Sequence, residues 1–550
     1  MKKTAIFLFF SALFIASASA QWQTTTYTLK GGWNSIYLHG DASYDTPDEL
    51  FPNSGDSANI EQVWRWNPNP TQIQFTTDPL IPTAGTPEWS VWDRGNPGAS
   101  TLSALTGQTA YLVYCSGTIA NSYSVQIKNR PQPPASTWVR NGANLLGFPT
   151  NATSGYPTLS NYFATFPAAI AANAKIYKYV GGELGPANPL QVFSPSFESL
   201  DRNQAYWFEA EVTGSYYAPI EIAPANSAGL EFGRTGSVLA VRIRNRTDAA
   251  VTMTIAPTSS AAAPAGETGI TGDVPLTYDG SALSTFNVVV GPQASIELEF
   301  GINRSLMGVD SGALYASFLK FTDSGNLMDV LIPASAQVAS MAGLWVGDAT
   351  VDGVVSTVAG SPGDTTRRSF PLRYILHVDD GGTARLLSQV FMGTLDASDQ
   401  LGHCTNEADL KPEELASAVR IVAAHMPLDL ALSTGTGSVA LGGTLERTIN
   451  LPFNAKTNPF VHSYHPDHDN KDPRNQALLA GVESYDVTRA VSFEFLATPP
   501  TGTPSIGWGT TVLGGEYSET LTGIHKLPLS TSGTFTFRRV NEIGAITITP

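Results

Sequence analysis

Three histidines recur at every third position in VHSYHPDHDN: His462, His465 and His468, with Asp467 and Asp469 beside them. Imidazole nitrogens and carboxylate oxygens are zinc donors, and a metal-bound water would supply the nucleophile of a hydrolase. The segment is therefore a candidate metal site. Pro466 favours an extended, polyproline-like chain, in which residues three apart stand about 9 Å apart at ~3.1 Å per residue. Zinc holds its nitrogens at about 2.0–2.1 Å, so one ion collects all three histidines only if the chain bends at His465-Pro466. Two histidines with Asp467 make the easier set. H-E-x-x-H is absent. A calcium loop fits poorly, because Lys471 and Asp472 stand where an Asp or Asn and a turn glycine belong. The competing reading is a polar loop with turn-forming Pro and Asn. No cofactor is required by the sequence; a divalent ion, zinc foremost, is the one candidate.

Trp89 and Trp92 are the second candidate. Six of the ten tryptophans lie within the first 92 residues. These two sit in TPEWSVWDRGNPG, between the strand-like runs around Trp66 and Tyr111. An aromatic pair on a loop could stack on sugar rings or anchor a protein partner. The alternative is a loop that folds back and buries both rings, the common fate of tryptophan. Other motifs fail. GDATVDGVV places Asp348, Asp352 and Gly353 as a calcium loop would, but Thr350 and Ala359 replace required ligands, and it reads as a strand-to-loop turn. GDSAN lacks the buried strand that should precede a nucleophilic serine. Neither G-x-S-x-G nor a Walker loop occurs.

These groups need elements to carry them. Residues 1–20 have Lys2 and Lys3, an apolar run and Ala18-Ser19-Ala20, the pattern of a secretory signal peptide cleaved before Gln21. No later run is long and apolar enough for a transmembrane helix. The protein is expected to be exported: extracellular, at the cell surface or periplasmic. Its net charge is −16. An acidic chain with no basic run argues against nucleic acid and anionic membranes as partners. Only 14% of residues are charged, while Gly numbers 50 and Pro 37. That balance suits short strands and turns and predicts an all-β fold. Cys115 and Cys404 are the only cysteines. The compartment permits a bridge between them without requiring one.

The chain repeats itself. LKGGWNSIYL is echoed by VRNGANLLGF, Trp64-Arg65-Trp66 by Tyr177-Lys178-Tyr179, and SALTGQTAYLVY by ESLDRNQAYWFE. Two copies of one β module follow, over 22–130 and 137–224, joined by the Pro-rich KNRPQPPAST. Trp64 and Trp66 share a strand face, and the aromatics kept in the second copy favour core packing. Both copies resemble the GWNLISLP…GYW modules of bacterial and archaeal extracellular proteins. The resemblance rests on Gly32, Trp33 and Asn34, on Gly142 and Asn144, and on Ala110-Tyr111 and Ala205-Tyr206. Ala143 replaces the expected tryptophan. Such modules imply no activity.

Residues 228–338 alternate with period two, as in Val251, Met253 and Ile255, or Ile296, Leu298 and Phe300. They read as an immunoglobulin-like sandwich. Residues 342–550 read as a β-barrel or sandwich. There LRYILHVDDGGTARLLSQV is a hairpin, and one helix is expected from Pro412 to Ala424. GLWVG with Arg538-Arg539 resembles lipocalin-type barrels, in which a Gly-x-Trp on the first strand packs beside an Arg from the last; this implies an interior ligand. The order of blocks, with GLWVG, PLRYILHVDDGGTARLL, NPFVHSYHPDHDN and GTFTFRRV, resembles uncharacterised large secreted β-proteins of planctomycete and verrucomicrobial bacteria. The reading is a secreted, non-enzymatic protein of the cell surface or extracellular matrix. Its loops would meet a polysaccharide or surface protein. A metal-dependent hydrolase on His462, His465 and His468 is the alternative, and a small-ligand carrier in the last barrel the third reading.

Overall fold

The computed structural model describes residues 21–67, 81–140, 142–308, 310–356, 369–387, 391–395, 401–404, 420–424, 433–451, 486–500, 507–523 and 528–545. They form an all-β protein whose α-helices, Pro47–Leu50 and Leu159–Tyr162, are single turns. Two compact units divide the chain: Met1–Asn303 with Leu314–Gln337, and Arg304–Ala313 with Val338–Pro550.

The first unit begins with seven strands: β1 (Gln23–Lys30), β2 (Gly32–Leu38), β3 (Gly40–Asp41), β4 (Ile60–Trp66), β5 (Trp89–Asp93), β6 (Thr109–Cys115) and β7 (Ser122–Pro131). A three-stranded sheet, β1-β7-β3, lies on a four-stranded one, β2-β6-β4-β5. In β1 Thr24, Thr26 and Thr28 point out while Tyr27 and Leu29 point in, as expected where one face meets water. The four-stranded sheet is covered on both faces. Ile36, Val63, Trp92, Tyr111 and Val113 pack with Tyr27, Leu29, Val125 and Ile127. Tyr37, Trp64, Trp66, Trp89, Val91 and Leu112 form a second core on the other face. Double coverage explains why TAYLVYC reads as an unbroken apolar run rather than an alternation.

Four further strands follow: β8 (Gly142–Leu146), β9 (Lys175–Lys178), β10 (Leu190–Gln191) and β11 (Tyr206–Ala210). Their order is β8-β11-β9-β10, matching β2-β6-β4-β5 position for position. The registers match too. Tyr111 stands opposite Ile36 and Arg65, and Tyr206 stands opposite Leu146 and Lys178. Trp64 pairs with Val91, and Tyr177 with Gln191. Asn34 and Asn144 do the same work. Oδ1 of each accepts the backbone N–H of Lys30 or Val139, while Nδ2 donates to carbonyls of Lys30 and Gly32, or of Val139 and Gly142.

The two four-stranded sheets pack against each other. Ala143, Leu145, Tyr179 and Trp207 join Trp64, Trp66 and Trp89 in one core. Trp207 meets Trp66 edge-on at 5.3 Å and Trp89 at 6.2 Å between ring centroids. Backbone bonds lock the contact: Trp33 N–H donates to Gly182 O at 2.8 Å and Gly182 N–H to Gly31 O at 2.7 Å. Gly147 is needed there, since a Cβ would lie 2.1 Å from Cγ of Tyr37.

A sandwich completes the unit. One sheet runs Ile220–Pro224, Val238–Asn245, Ser295–Ile302, Leu276–Tyr278, Ser281–Ala282. The other runs Leu230–Gly233, Asp329–Gln337, Leu314–Asp323, Val251–Ser259, Phe286–Val290. Ile220 and Ile222 are buried in its first strand, so the sandwich starts before residue 228.

In the second unit eight strands form one sheet, in the order Ala384–Leu387, Phe370–Val378, Gly343–Ser356, Leu529–Asn541, Val512–Thr522, Val487–Phe495, Thr444–Leu451, Ser433–Thr434. It curls on itself. Arg447, from the strand next to one edge, donates from Nε and Nη2 to the carbonyl of Ala384 at the other edge, at 3.1 and 2.7 Å. Trp345, Tyr374, Leu376, Phe493, Phe535 and Phe537 fill the interior. GDATVDGVV is not a turn: it lies inside the strand Gly343–Ser356, which shifts register between Val351 and Gly353. Gly347 lets the strand Leu529–Asn541 pair closely with this one, because a Cβ would lie 1.9 Å from Thr536 O. Arg420–Ala424 is a strand paired with Phe391–Leu395, not the end of a helix; residues 412–419 lie outside the described set.

Candidate functional site

His462, His465, Asp467 and His468 lie outside the described residues. Among the described residues, no group of three or more His, Cys, Asp or Glu side chains is placed to hold a metal ion. Trp89 and Trp92 are described, and neither forms an exposed platform. They belong to edge strand β5 and are 5% and 3% exposed. The alternation of β5 sends the rings to opposite faces. Trp89 packs at 5.1 Å from Trp66, toward the second sheet, while Trp92 lies 5.9 Å from Phe51 in the first core and donates its indole N–H to Asp48. Cys115 is buried and free, and burial pushes its thiol up to about 12.

Two features sequence reading missed stand out in the first unit. One is a cleft of about 460 Å³ between β1 and β2 on one side and Tyr156, Lys178–Val180, Asp201, Asn203 and Gln204 on the other. Lys178 is held by an ion pair with Glu198. Tyr206 anchors the turn below, accepting from Asp201 N–H at 2.9 Å and donating to Ser199 O. The Asp201 carboxylate accepts no hydrogen bond from another described residue. Burial raises its pKa above the usual carboxylate range, against the lowering effect of Lys178. Nearby His39 is kept neutral, because burial and the Arg202 charge lower its pKa, and its Nε2 lies 2.7 Å from Arg202 O. The cleft thus offers a carboxylate, amides and an ammonium for hydrogen bonding. It presents no nucleophile paired with a base among the described residues.

The other feature is the segment after edge strand β10. Phe193 and Phe197 are 80% and 89% exposed. The backbone beneath them is fixed: Val192 N–H donates to Ile176 O, Phe197 N–H to Ser194 O, Ser160 N–H to Pro195 O and Leu159 N–H to Glu198 O, all at 2.8–3.1 Å. The two rings ride on a loop tied by these backbone bonds. Their only sequence signal is two phenylalanines in VFSPSFES, a Ser- and Pro-bearing stretch with no apolar alternation.

In the second unit Arg489 and Glu519 form a buried pair at 2.5 Å, bonded also to Tyr374 and Tyr517. Arg539 lies over the Trp345 ring at 5.6 Å and donates to Ala342 O. The cavity beside this core, lined by Met307, Val338, Met341 and Leu441, holds about 40 Å³. That is room for waters, well short of the ~300 Å³ of a small-molecule site.

No family model matches the chain, and no curated protein does. Solved structures give low-scoring likenesses. The E. coli chaperone DraB is 9% identical over 30% of this chain and 93% of its own, with a TM-score of 0.15. The Pseudomonas aeruginosa CupB2 chaperone is 10% identical over 30% and 96%, at 0.16. A Bacteroides ovatus protein of unknown function is 11% identical over 58% and 94%, at 0.18. At such scores the likenesses carry no argument about what this chain does.

Proposed function

We propose that this is a secreted, non-enzymatic β protein of the cell surface or extracellular matrix, and that it binds a polysaccharide or surface protein through loops displayed on rigid modules. In this reading the sheets β2-β6-β4-β5 and β8-β11-β9-β10 are two copies of one unit, and the pair serves as a stiff base. The observation that carries it is the exposure of Phe193 and Phe197 on a hydrogen-bonded loop. A soluble protein gains nothing in stability from two solvated benzyl groups, whereas a partner surface that covers them gains hydrophobic burial without first having to order the loop. The polar cleft lined by Asp201, Asn203 and Lys178 offers hydrogen bonds from the same module. Binding of the purified protein to isolated envelopes and matrix polysaccharide tests this. Phe193→Ser with Phe197→Ser should abolish binding at an unchanged melting temperature; undiminished binding would refute the assignment.

A further inference from the structure

The cleft between β1 and β2 and the second copy holds about 460 Å³, within the ~300–1,000 Å³ usual for small-ligand sites. Such sites are mostly apolar. This one is lined instead by hydroxyls, amides and charges, among them Thr26, Thr28, Asn203, Lys178 and Asp201. Its walls are fixed by their own hydrogen bonds. Tyr37 N–H donates to Asn203 O at 3.0 Å, Ser35 Oγ to Ala205 O at 2.7 Å and Gln204 Nε2 to Tyr179 O at 2.8 Å. A ligand would meet polar groups already in place, so little ordering would be charged against its binding.

The groups left over in the lining define the ligand. Lys178 is engaged by Glu198. Asp201 is half-buried, and its carboxylate has no donor among the described residues. An ionised carboxylate only accepts hydrogen bonds, on two oxygens, and adjacent hydroxyls of a pyranose present two donors side by side. Of the three tyrosines in the lining, Tyr27 and Tyr179 are each 2% exposed, whereas Tyr156 is half-buried. Its ring keeps an apolar face for the C–H bonds of a sugar. A phosphate or uronate would instead bring a like charge to Asp201. We propose that this cleft binds one neutral pyranose unit of a polysaccharide, two adjacent hydroxyls donating to Asp201 and the sugar ring lying against Tyr156. The inference rests on the binding reading above, for which it names a glycan as the partner, and it adds a site that does not use Phe193 or Phe197.

The test is saturation-transfer NMR on the full chain at neutral pH. The probes are the methyl glycosides of glucose, mannose and galactose, with methyl glucuronide as the anionic comparison. Wild type should bind at least one neutral glycoside, and more tightly than the glucuronide. Asp201→Ala should weaken that binding about tenfold or more, the loss expected when hydrogen bonds to a charged group are removed, and Asp201→Asn should weaken it too. A thermal melt of each variant shows whether it is folded. Silence from all three neutral glycosides overturns the inference, as does undiminished binding by folded Asp201→Ala or a preference for the glucuronide. Binding of wild type to isolated envelopes, measured in parallel, separates the two claims. Envelope binding without any response to the glycosides strikes the cleft and leaves the surface reading standing. A response to a glycoside without envelope binding strikes the surface reading and leaves the cleft.

Discussion

The sheets β2-β6-β4-β5 and β8-β11-β9-β10 share strand order, register, a buried asparagine at the start and a tyrosine whose hydroxyl ties a turn five residues back, Tyr111 to Thr106 and Tyr206 to Asp201. They differ in what covers them and at the edge. The first carries the β1-β7-β3 layer. The second has instead an aromatic cluster in which Phe208 touches Trp138, Phe148 and Phe163. At the edge, β5 runs five residues and buries Trp89 and Trp92, while β10 stops after two. The chain then turns out and leaves Phe193 and Phe197 in water. One framework thus has an edge whose tryptophan packs between the two sheets and an edge followed by two exposed phenylalanines.

That contrast is broken most severely by emptying the shared core. Trp89→Ala should cost about 3–5 kcal/mol, as large aromatic truncations do, and lower the melting temperature of the first unit. Trp207→Ala should cost a similar amount, since the two rings pack on each other. A loss near zero for Trp89→Ala would show that the ring is outside the core. Next in size, Gly147→Ala should cost about 1–3 kcal/mol through the clash with Tyr37, measured by chemical unfolding. The likeness of the two sheets is sharpened by Asn34→Ala and Asn144→Ala. Each strands the same backbone groups, so each should cost about 1–3 kcal/mol, in near-equal amounts; widely different losses would mean the equivalence is only geometric.

A smaller effect concerns Asp201. Its folded pKa is raised, so the folded state holds its proton to higher pH than the unfolded one. This group therefore favours folding below its ordinary pKa of 3.8 and costs stability as pH rises above it. Asp201→Asn should melt slightly higher at pH 7 and match wild type at acid pH. A variant less stable at pH 7 would show a bonding role for the carboxylate.

Much of this was legible in the chain. The period-two pattern of Ser295–Ile302 and the Trp64/Tyr177 echo mark strands because both depend on neighbours in sequence. The burial of Trp89 was not, because one of the rings packed on it, Trp207, lies far along the chain. GDATVDGVV resembled a turn because its glycines read locally as breaks. In the sheet they sit where neighbouring strands leave no room for a Cβ or where the register slips, and Asp348 pairs with Arg373 across the ladder. Phe193 and Phe197 are ordinary core residues by type, and only the abrupt end of β10 reveals that they face outward.

The central claim is tested most directly by the binding of Phe193→Ser with Phe197→Ser to isolated envelopes, measured beside its thermal melt, with protease-treated and periodate-treated envelopes as controls. The account predicts a melt within about 0.5 kcal/mol of wild type, as for surface substitutions, with binding lost by tenfold or more. Loss of wild-type binding after protease would identify a protein partner, and loss after periodate a polysaccharide. Full binding by the double variant, or a large fall in its stability, would contradict the account.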